Sequence, residues 1–173
     1  MVRFRVYKSY FGNISYVIVD NFFCHSNALN QLMDVFKPQH LIVSITALDQ
    51  DGGFYELVSN KKTRFKVVSP KNNTITSETV VVSTTSDFLS VFDLLVKSEP
   101  RCITLYGVKD NIEIDRLNYK EFQYADDAIV KKDVIGYAIS IIAEECCVKI
   151  AFNTNLYDPI DLFKIVKKKL QGL

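Results

Sequence analysis

Tryptophan is absent from this 173-residue chain, and glycine, proline and histidine are scarce, with six, four and two copies. With only six glycines, the sequence holds neither a phosphate-cradling glycine loop nor the strained serine turn of an α/β-hydrolase. Two histidines leave little for acid–base catalysis at neutral pH. The sequence therefore carries no motif that specifies a reaction.

Cysteine is also scarce: Cys24, Cys102, Cys146 and Cys147 are too few and too irregularly spaced for a disulfide framework. The adjacent Cys146 and Cys147 would point to opposite faces of a strand, whereas paired zinc ligands are usually two to four residues apart. We therefore expect a reducing, cytoplasmic setting, with no metal site and no cofactor.

Neither a charge imbalance nor a long apolar run is present. The chain has 21 basic and 20 acidic residues, a net charge of +1, so no overall field steers it to nucleic acid or a membrane surface. The most apolar run, at 134–143, is about half of the roughly 20 residues needed to span a bilayer. With an apolar fraction of 48%, the composition predicts one soluble globular domain over residues 1–173.

Hydrophobic periodicity predicts the local structure. In the first strand Arg3, Arg5 and Tyr7 alternate with Val2, Phe4 and Val6, which predicts one face in water and one buried face. With the turn signal Gly12-Asn13 that follows, this predicts a β-hairpin. Ser26 is the expected N-cap of a first helix, and Ser86 that of a second. Residues 40–83 contain four β-rich runs, which predict a four-stranded meander.

The last third of the chain is also patterned. Residues 102–108 predict a strand, and residues 133–154 predict two strands bent around Glu144 and Glu145. Asp158 as N-cap with Pro159 at the first helical position predicts a C-terminal helix. The predicted fold class is α+β, a mostly antiparallel sheet of about eight or nine strands with three or four packed helices.

An acidic segment with aromatic residues is the main functional signal. From Asp110 to Glu145 there are nine acids against four bases, a net charge of −5, and the rest of the chain is correspondingly basic. Exposed aromatic rings surrounded by charge are typical of binding hot spots with electrostatic steering towards a basic partner. An ordinary alternative is that the rings pack inward while the acids stay in water.

We favour the binding interpretation: a non-enzymatic intracellular protein-binding module, of the class of inhibitors and toxin-neutralising immunity proteins, with a basic protein as its partner. The predicted partner-binding residues are Glu113, Asp115, Tyr119, Glu121, Phe122, Tyr124, Asp126 and Asp127.

Two other functions stay open. A nucleic-acid-binding domain would use Arg64 and Lys66 on one face of a basic strand, beside Arg3 and Arg5, although the RNA-binding consensus is missing. A small enzyme or ligand-binding domain would have a site near Cys24 and His40. Exposed strand edges also leave homo-oligomerisation open.

Overall fold

One antiparallel sheet organises the chain. The computed structural model describes residues 3–8, 12–22, 25–38, 40–46, 66–67, 78–97, 100–108, 136–142 and 146–171. Within these ranges the strands are β1 Arg3–Lys8, β2 Ile14–Asp20, β3 His40–Thr46, β4 Lys66–Val67, β5 Glu78–Thr84, β6 Cys102–Val108, β7 Tyr137–Ile142 and β8 Cys147–Asn153. The helices are α1 Ser26–Phe36, α2 Thr85–Lys97 and α3 Pro159–Leu170.

The strand order is β1-β2-β8-β7-β6-β3-β5-β4, and every neighbouring pair is antiparallel. Because direction alternates across the sheet, β2 and β3 run parallel to each other, and so do β5 and β6. Helices α1 and α2 are the crossovers of these two parallel pairs: α1 passes three intervening strands, and α2 passes one. The first and last strands of the chain therefore lie close together, because β2 pairs with β8.

The core lies between the sheet and the three helices. Alternate residues of the central strands meet the inner faces of the helices, as period-two and period-3.6 patterns require. The shared core includes Val17, Val43, Leu105, Ile139 and Ile150 from the sheet and Leu29, Leu32, Phe88, Phe92, Leu162 and Val166 from the helices. The opposite face of the sheet also holds buried side chains, among them Ile42, Tyr106, Ala138 and Ala151.

Several local predictions are confirmed. Strands β1 and β2 form the expected hairpin, β6 covers 102–108, and β7 pairs with β8. Asp158 caps α3, accepting hydrogen bonds of 2.9 Å from the backbone nitrogens of Ile160 and Asp161. The α+β class, the antiparallel sheet and the C-terminal helix are thus confirmed. The predicted total numbers of strands and helices are not confirmed, because the described ranges, which contain eight strands and three helices, leave part of the chain out.

The expected meander is wrong. Strand β3 does not pair with β4, the next strand in the described part of the chain. It lies between β5 and β6, and the two-residue β4 pairs with β5. The crossover α2 brings β6 back to the other side of β3, which a local strand pattern does not specify. The run at 54–59, counted as one of the four strands, lies outside the described residues.

Both serine caps are also wrong. His25 occupies the N-cap of α1, and its side chain does not cap the helix by a hydrogen bond. The Ser26 backbone nitrogen and hydroxyl donate to Asp93 on α2, at 2.8 and 2.9 Å. At the start of α2, the Thr84 hydroxyl accepts from the Asp87 backbone nitrogen at 3.1 Å and donates to the Asp87 carboxylate at 2.8 Å. The first of these bonds is the one that an N-cap threonine makes with the third residue of a helix.

An aromatic cluster closes one end of the core. Tyr137 stacks on Phe36 with ring centroids 4.0 Å apart, and both rings meet the edge of Tyr157. The Tyr137 ring lies over Gly107, where a Cβ would overlap the tyrosine hydroxyl and come within 2.8 Å of its Cε1 atom. Within the described residues the buried Tyr137 hydroxyl has no hydrogen-bond partner, and burial raises its pKa above the usual value for tyrosine.

Candidate functional site

Strand β1 ends the sheet on one side, and its outer edge has no strand beside it among the described residues. We call this surface the β1 edge: residues 3–7 of β1 together with Ile160 and Phe163 of α3. Val6 and Tyr7 are unusually exposed for large apolar side chains in a sheet, at 41% and 43%. An uncovered edge strand presents unpaired backbone N–H and C=O groups, to which another extended segment can bind.

One face of the β1 edge is cationic and aromatic. The Arg5 guanidinium donates to the Asp20 carboxylate at 2.6 Å and to the Tyr7 hydroxyl at 3.0 Å. The hydrogen bond to Asp20 is the main reason that the pKa of Arg5 is raised. Arg3 shares this face, is exposed, and has no salt bridge within the described part of the chain. Among the described residues, none neutralises this second cation of the face.

The other face is apolar and is bounded by α3. Phe4 meets Phe163 edge to face, with ring centroids 6.4 Å apart, and the Lys167 ammonium lies 5.9 Å from the centre of the Phe163 ring. Ile160 lies one turn before Phe163 on the same stripe of α3 and is 64% exposed. The structure thus places an open strand edge between a charged face and a partly exposed apolar face.

The basic character continues onto the neighbouring strands. On β8, the Lys149 ammonium lies 4.1 Å from the centre of the Tyr16 ring of β2, a cation–π contact. Tyr16 itself is 9% exposed, so its ring is not available to stack against a ligand.

The residues predicted to bind a partner are not among these. Glu113, Asp115, Tyr119, Glu121, Phe122, Tyr124, Asp126 and Asp127 all lie outside the described residues.

The structure does not bring the predicted nucleic-acid-binding residues together. Arg3 and Arg5 are on β1 and Lys66 is on β4, at opposite ends of the sheet order, whereas Arg64 lies outside the described residues. Seven strand spacings of about 4.8 Å separate the two edges by roughly 34 Å. Arg3 and Arg5 therefore do not share one basic strand face with Lys66.

The structure describes only part of the proposed thiol site. His25 precedes α1 and His40 follows it, so one helix of 11 residues, about 16 Å long, lies between them. Cys24 adjoins His25 in sequence but lies outside the described residues. Among the described cysteines, Cys102 has its pKa raised by burial, which favours the unreactive thiol form.

Within the described ranges, no group of three histidine, cysteine, aspartate or glutamate side chains is placed to hold a metal ion. Of the helices in the described ranges, none is long and apolar enough to cross a lipid bilayer.

Comparison with known proteins gives little further information. No protein-family model and no curated protein sequence match this chain. One solved structure, "Crystal structure of aspartokinase alpha and beta subunits", is similar over 77% of this chain and 93% of that chain, with 9% sequence identity and a TM-score of 0.29. A similarity this low supports no inference about this protein.

Sequence reasoning missed the apolar half of the β1 edge. The alternation in β1 identified Arg3 and Arg5, but it also indicated that Val6 lies on a buried face. The edge position of β1 leaves Val6 partly uncovered, and only the tertiary structure shows which strand is last in the sheet.

Proposed function

We propose that this chain is a non-enzymatic protein-binding module, acting in the cytoplasm, and in its narrower form an inhibitor or toxin-neutralising immunity protein. The observation that supports it is the β1 edge, where exposed Val6 and Tyr7 accompany an open strand. Aromatic and aliphatic side chains beside unpaired backbone groups are a common way in which one protein captures a segment of another. A protein surface that is both apolar and hydrogen-bonding suits a protein partner best.

The acidic segment supplies a second contact in this proposal. Asp126, Asp127 and their neighbours would meet a basic protein surface, and their net charge of −5 from Asp110 to Glu145 would speed the encounter. The β1 edge would then add the shorter-range contacts. The acidic segment and the β1 edge carry opposite charges, which would fix the orientation of the partner, because a reversed partner would bring like charges together.

Nucleic-acid binding is the competing function, because Arg3, Arg5 and Tyr7 share one face with Lys149 on β8. Asp20 already neutralises Arg5, which weakens this alternative. It predicts association with RNA or DNA oligonucleotides that falls steeply as salt is raised and that Arg3→Ala weakens. Fluorescence anisotropy with labelled oligonucleotides measures it directly, and a flat titration at low salt would remove it.

The test of the proposed function is capture followed by reconstitution. The wild type, the Asp126→Lys/Asp127→Lys variant and Arg3→Glu are immobilised in parallel, and proteins retained from lysate of the native host are quantified by mass spectrometry. Any protein lost with either variant is then purified and titrated against the full chain by calorimetry. We expect one protein partner, binding with defined stoichiometry, whose affinity falls at least about tenfold, or about 1.4 kcal/mol, in a variant.

Lys168→Glu is the matched control for Arg3→Glu, because Lys168 is exposed on α3 and has the same charge. Circular dichroism checks that each variant keeps its fold. If no protein binds in the calorimeter, the protein-binding proposal is wrong. If all variants bind the same partner equally, the assignment of binding to the β1 edge and the acidic segment is wrong.

A further inference from the structure

We propose that the β1 edge binds an extended segment of the partner as an added strand, and that this segment alternates acidic and apolar side chains. This inference rests on the proposed protein-binding function and specifies the chemistry of the partner. It follows from three features of the β1 edge: the open backbone, the two different faces of β1, and the charge of one of them.

The open backbone determines the conformation of the ligand. Strand β1 has six residues, and within the described ranges its only ladder is the one with β2. A segment that satisfies the outward backbone groups of β1 must itself be extended, because only an extended chain matches the spacing of a strand. Its side chains then point alternately to the two faces of the sheet.

The apolar face determines one half of that alternation. Side chains on this side of the added strand would extend the row formed by Phe4 and Val6 and would lie beside Phe163 of α3. Val6 is on the helix side of the sheet, since it pairs with the core residue Val17. Covering Val6 removes apolar surface from water, so apolar residues are favoured at these positions.

The charged face determines the other half. Side chains on this side of the added strand would lie next to Arg3, Arg5 and Tyr7. Asp20 neutralises Arg5, but Arg3 has no salt-bridge partner within the described residues. Opposite charges on neighbouring strands stabilise a pair, and like charges destabilise it, so acidic residues are favoured here.

The same charges argue against a second copy of this chain as the occupant. Strand β1 carries Arg3, Arg5 and Lys8 and no acid. Two copies related by a two-fold axis would bring the arginine-bearing faces of both β1 strands together, so cations would lie near cations. An acidic segment of another protein avoids this repulsion.

The probe for this inference is a fluorescein-labelled peptide of alternating glutamate and valine, titrated against the full chain by anisotropy at physiological salt. Three control peptides test alternation, charge and backbone hydrogen bonding separately. The first has the same residues with the glutamates in one block, the second has lysine in place of glutamate, and the third is N-methylated at alternate amides. We expect saturable binding of the alternating peptide, and binding at least about tenfold weaker for each control. Hydrogen exchange should slow at the β1 amides when the peptide binds.

On the protein side, Arg3→Glu and Val6→Lys change the two faces separately. Each should weaken the alternating peptide at least about tenfold, whereas Lys168→Glu should not. Having two variants on different faces keeps the test valid if one of them fails to fold.

The inference is wrong if the alternating peptide shows no saturable binding, or if the block peptide binds equally well. It is also wrong if sedimentation detects a dimer and the protection of the β1 amides from hydrogen exchange depends on protein concentration. The last outcome would make a second copy the occupant. If the peptide fails while a purified partner still depends on Asp126 and Asp127, the strand-addition inference is wrong and the protein-binding function stands. If the peptide binds but no protein partner exists, the proposed function is wrong instead.

Discussion

Replacing Gly107 with alanine tests how Tyr137 is held in the core. A Cβ at Gly107 would overlap the tyrosine hydroxyl, and the ring cannot move away freely because it stacks on Phe36 at 4.0 Å. Overpacking of a core costs about 1–3 kcal/mol. Alanine lowers the entropy of the unfolded chain, which offsets about 0.4–1 kcal/mol. We therefore expect the free energy of unfolding to fall by roughly 1–2 kcal/mol.

Urea denaturation followed by circular dichroism measures this change. Gly136→Ala is the matched control, because the nearest atoms to its Cβ would be in the side chains of Leu156 and Tyr157, at 3.0 and 3.1 Å. These atoms can shift by a few tenths of an ångström, so the control should cost less than Gly107→Ala.

A double-mutant cycle isolates the contact itself. Tyr137→Ala removes the ring and is destabilising by itself, because it leaves a cavity. If the ring is seated on Gly107, the double variant should be more stable than the sum of the two single effects, with a coupling of about 0.5–3 kcal/mol. A neutral Gly107→Ala variant, or additive effects in the cycle, would refute this packing.

Two further predictions concern helix caps and alkaline pH. Asp93→Ala should lower the free energy of unfolding by about 1–2 kcal/mol, because it removes both hydrogen-bond acceptors of Ser26. Asp93→Asn should lower it less than Asp93→Ala does. Asp158→Ala should lower it by about 1 kcal/mol. Equal stability of Asp93→Ala and the wild type in urea would show that the hydrogen bonds from Ser26 to Asp93 do not stabilise the fold. Because the pKa of Tyr137 is raised in the folded protein, the residue is neutral in both the folded and the unfolded protein below about pH 10. Above about pH 10 the unfolded chain loses this proton first, so the free energy of unfolding falls as pH rises. The wild type should lose up to about 1.4 kcal/mol per pH unit more than Tyr137→Phe in this range, and parallel stability curves would show that Tyr137 is not the cause.

The parts of the fold that follow local chemistry could be predicted from the sequence. The C-terminal helix is specified by Asp158 and Pro159, and the first hairpin by alternation around Gly12, because cap and turn preferences act over a few residues. The cap of α1 could not be predicted, since Asp93 is distant in sequence from Ser26. Nothing in the local pattern of β6 indicates that Gly107 serves to seat Tyr137.

The candidate site was predicted only in part for the same reason. Alternation correctly places Arg3 and Arg5 on one face of β1, but strand order decides which cations are neighbours. That order puts β4 and Lys66 on the far edge, and it leaves Val6 uncovered beside α3. Both facts depend on the crossovers α1 and α2, which set the sheet order through long-range packing.

The pairing of β2 with β8 has a consequence for synthesis on the ribosome. Ile14 pairs with Asn153, so roughly 140 residues must be added after the first strand of this pair is made. At about 5–20 residues per second, the N-terminal hairpin waits on the order of ten seconds for its neighbour. During that time both of its edges are open. We predict that force measurements on arrested chains of increasing length would detect a main folding event only after β8 leaves the exit tunnel, and a strong earlier event would contradict this. The hairpin that carries the β1 edge would therefore be the first part of the sheet to be made and the last to be incorporated.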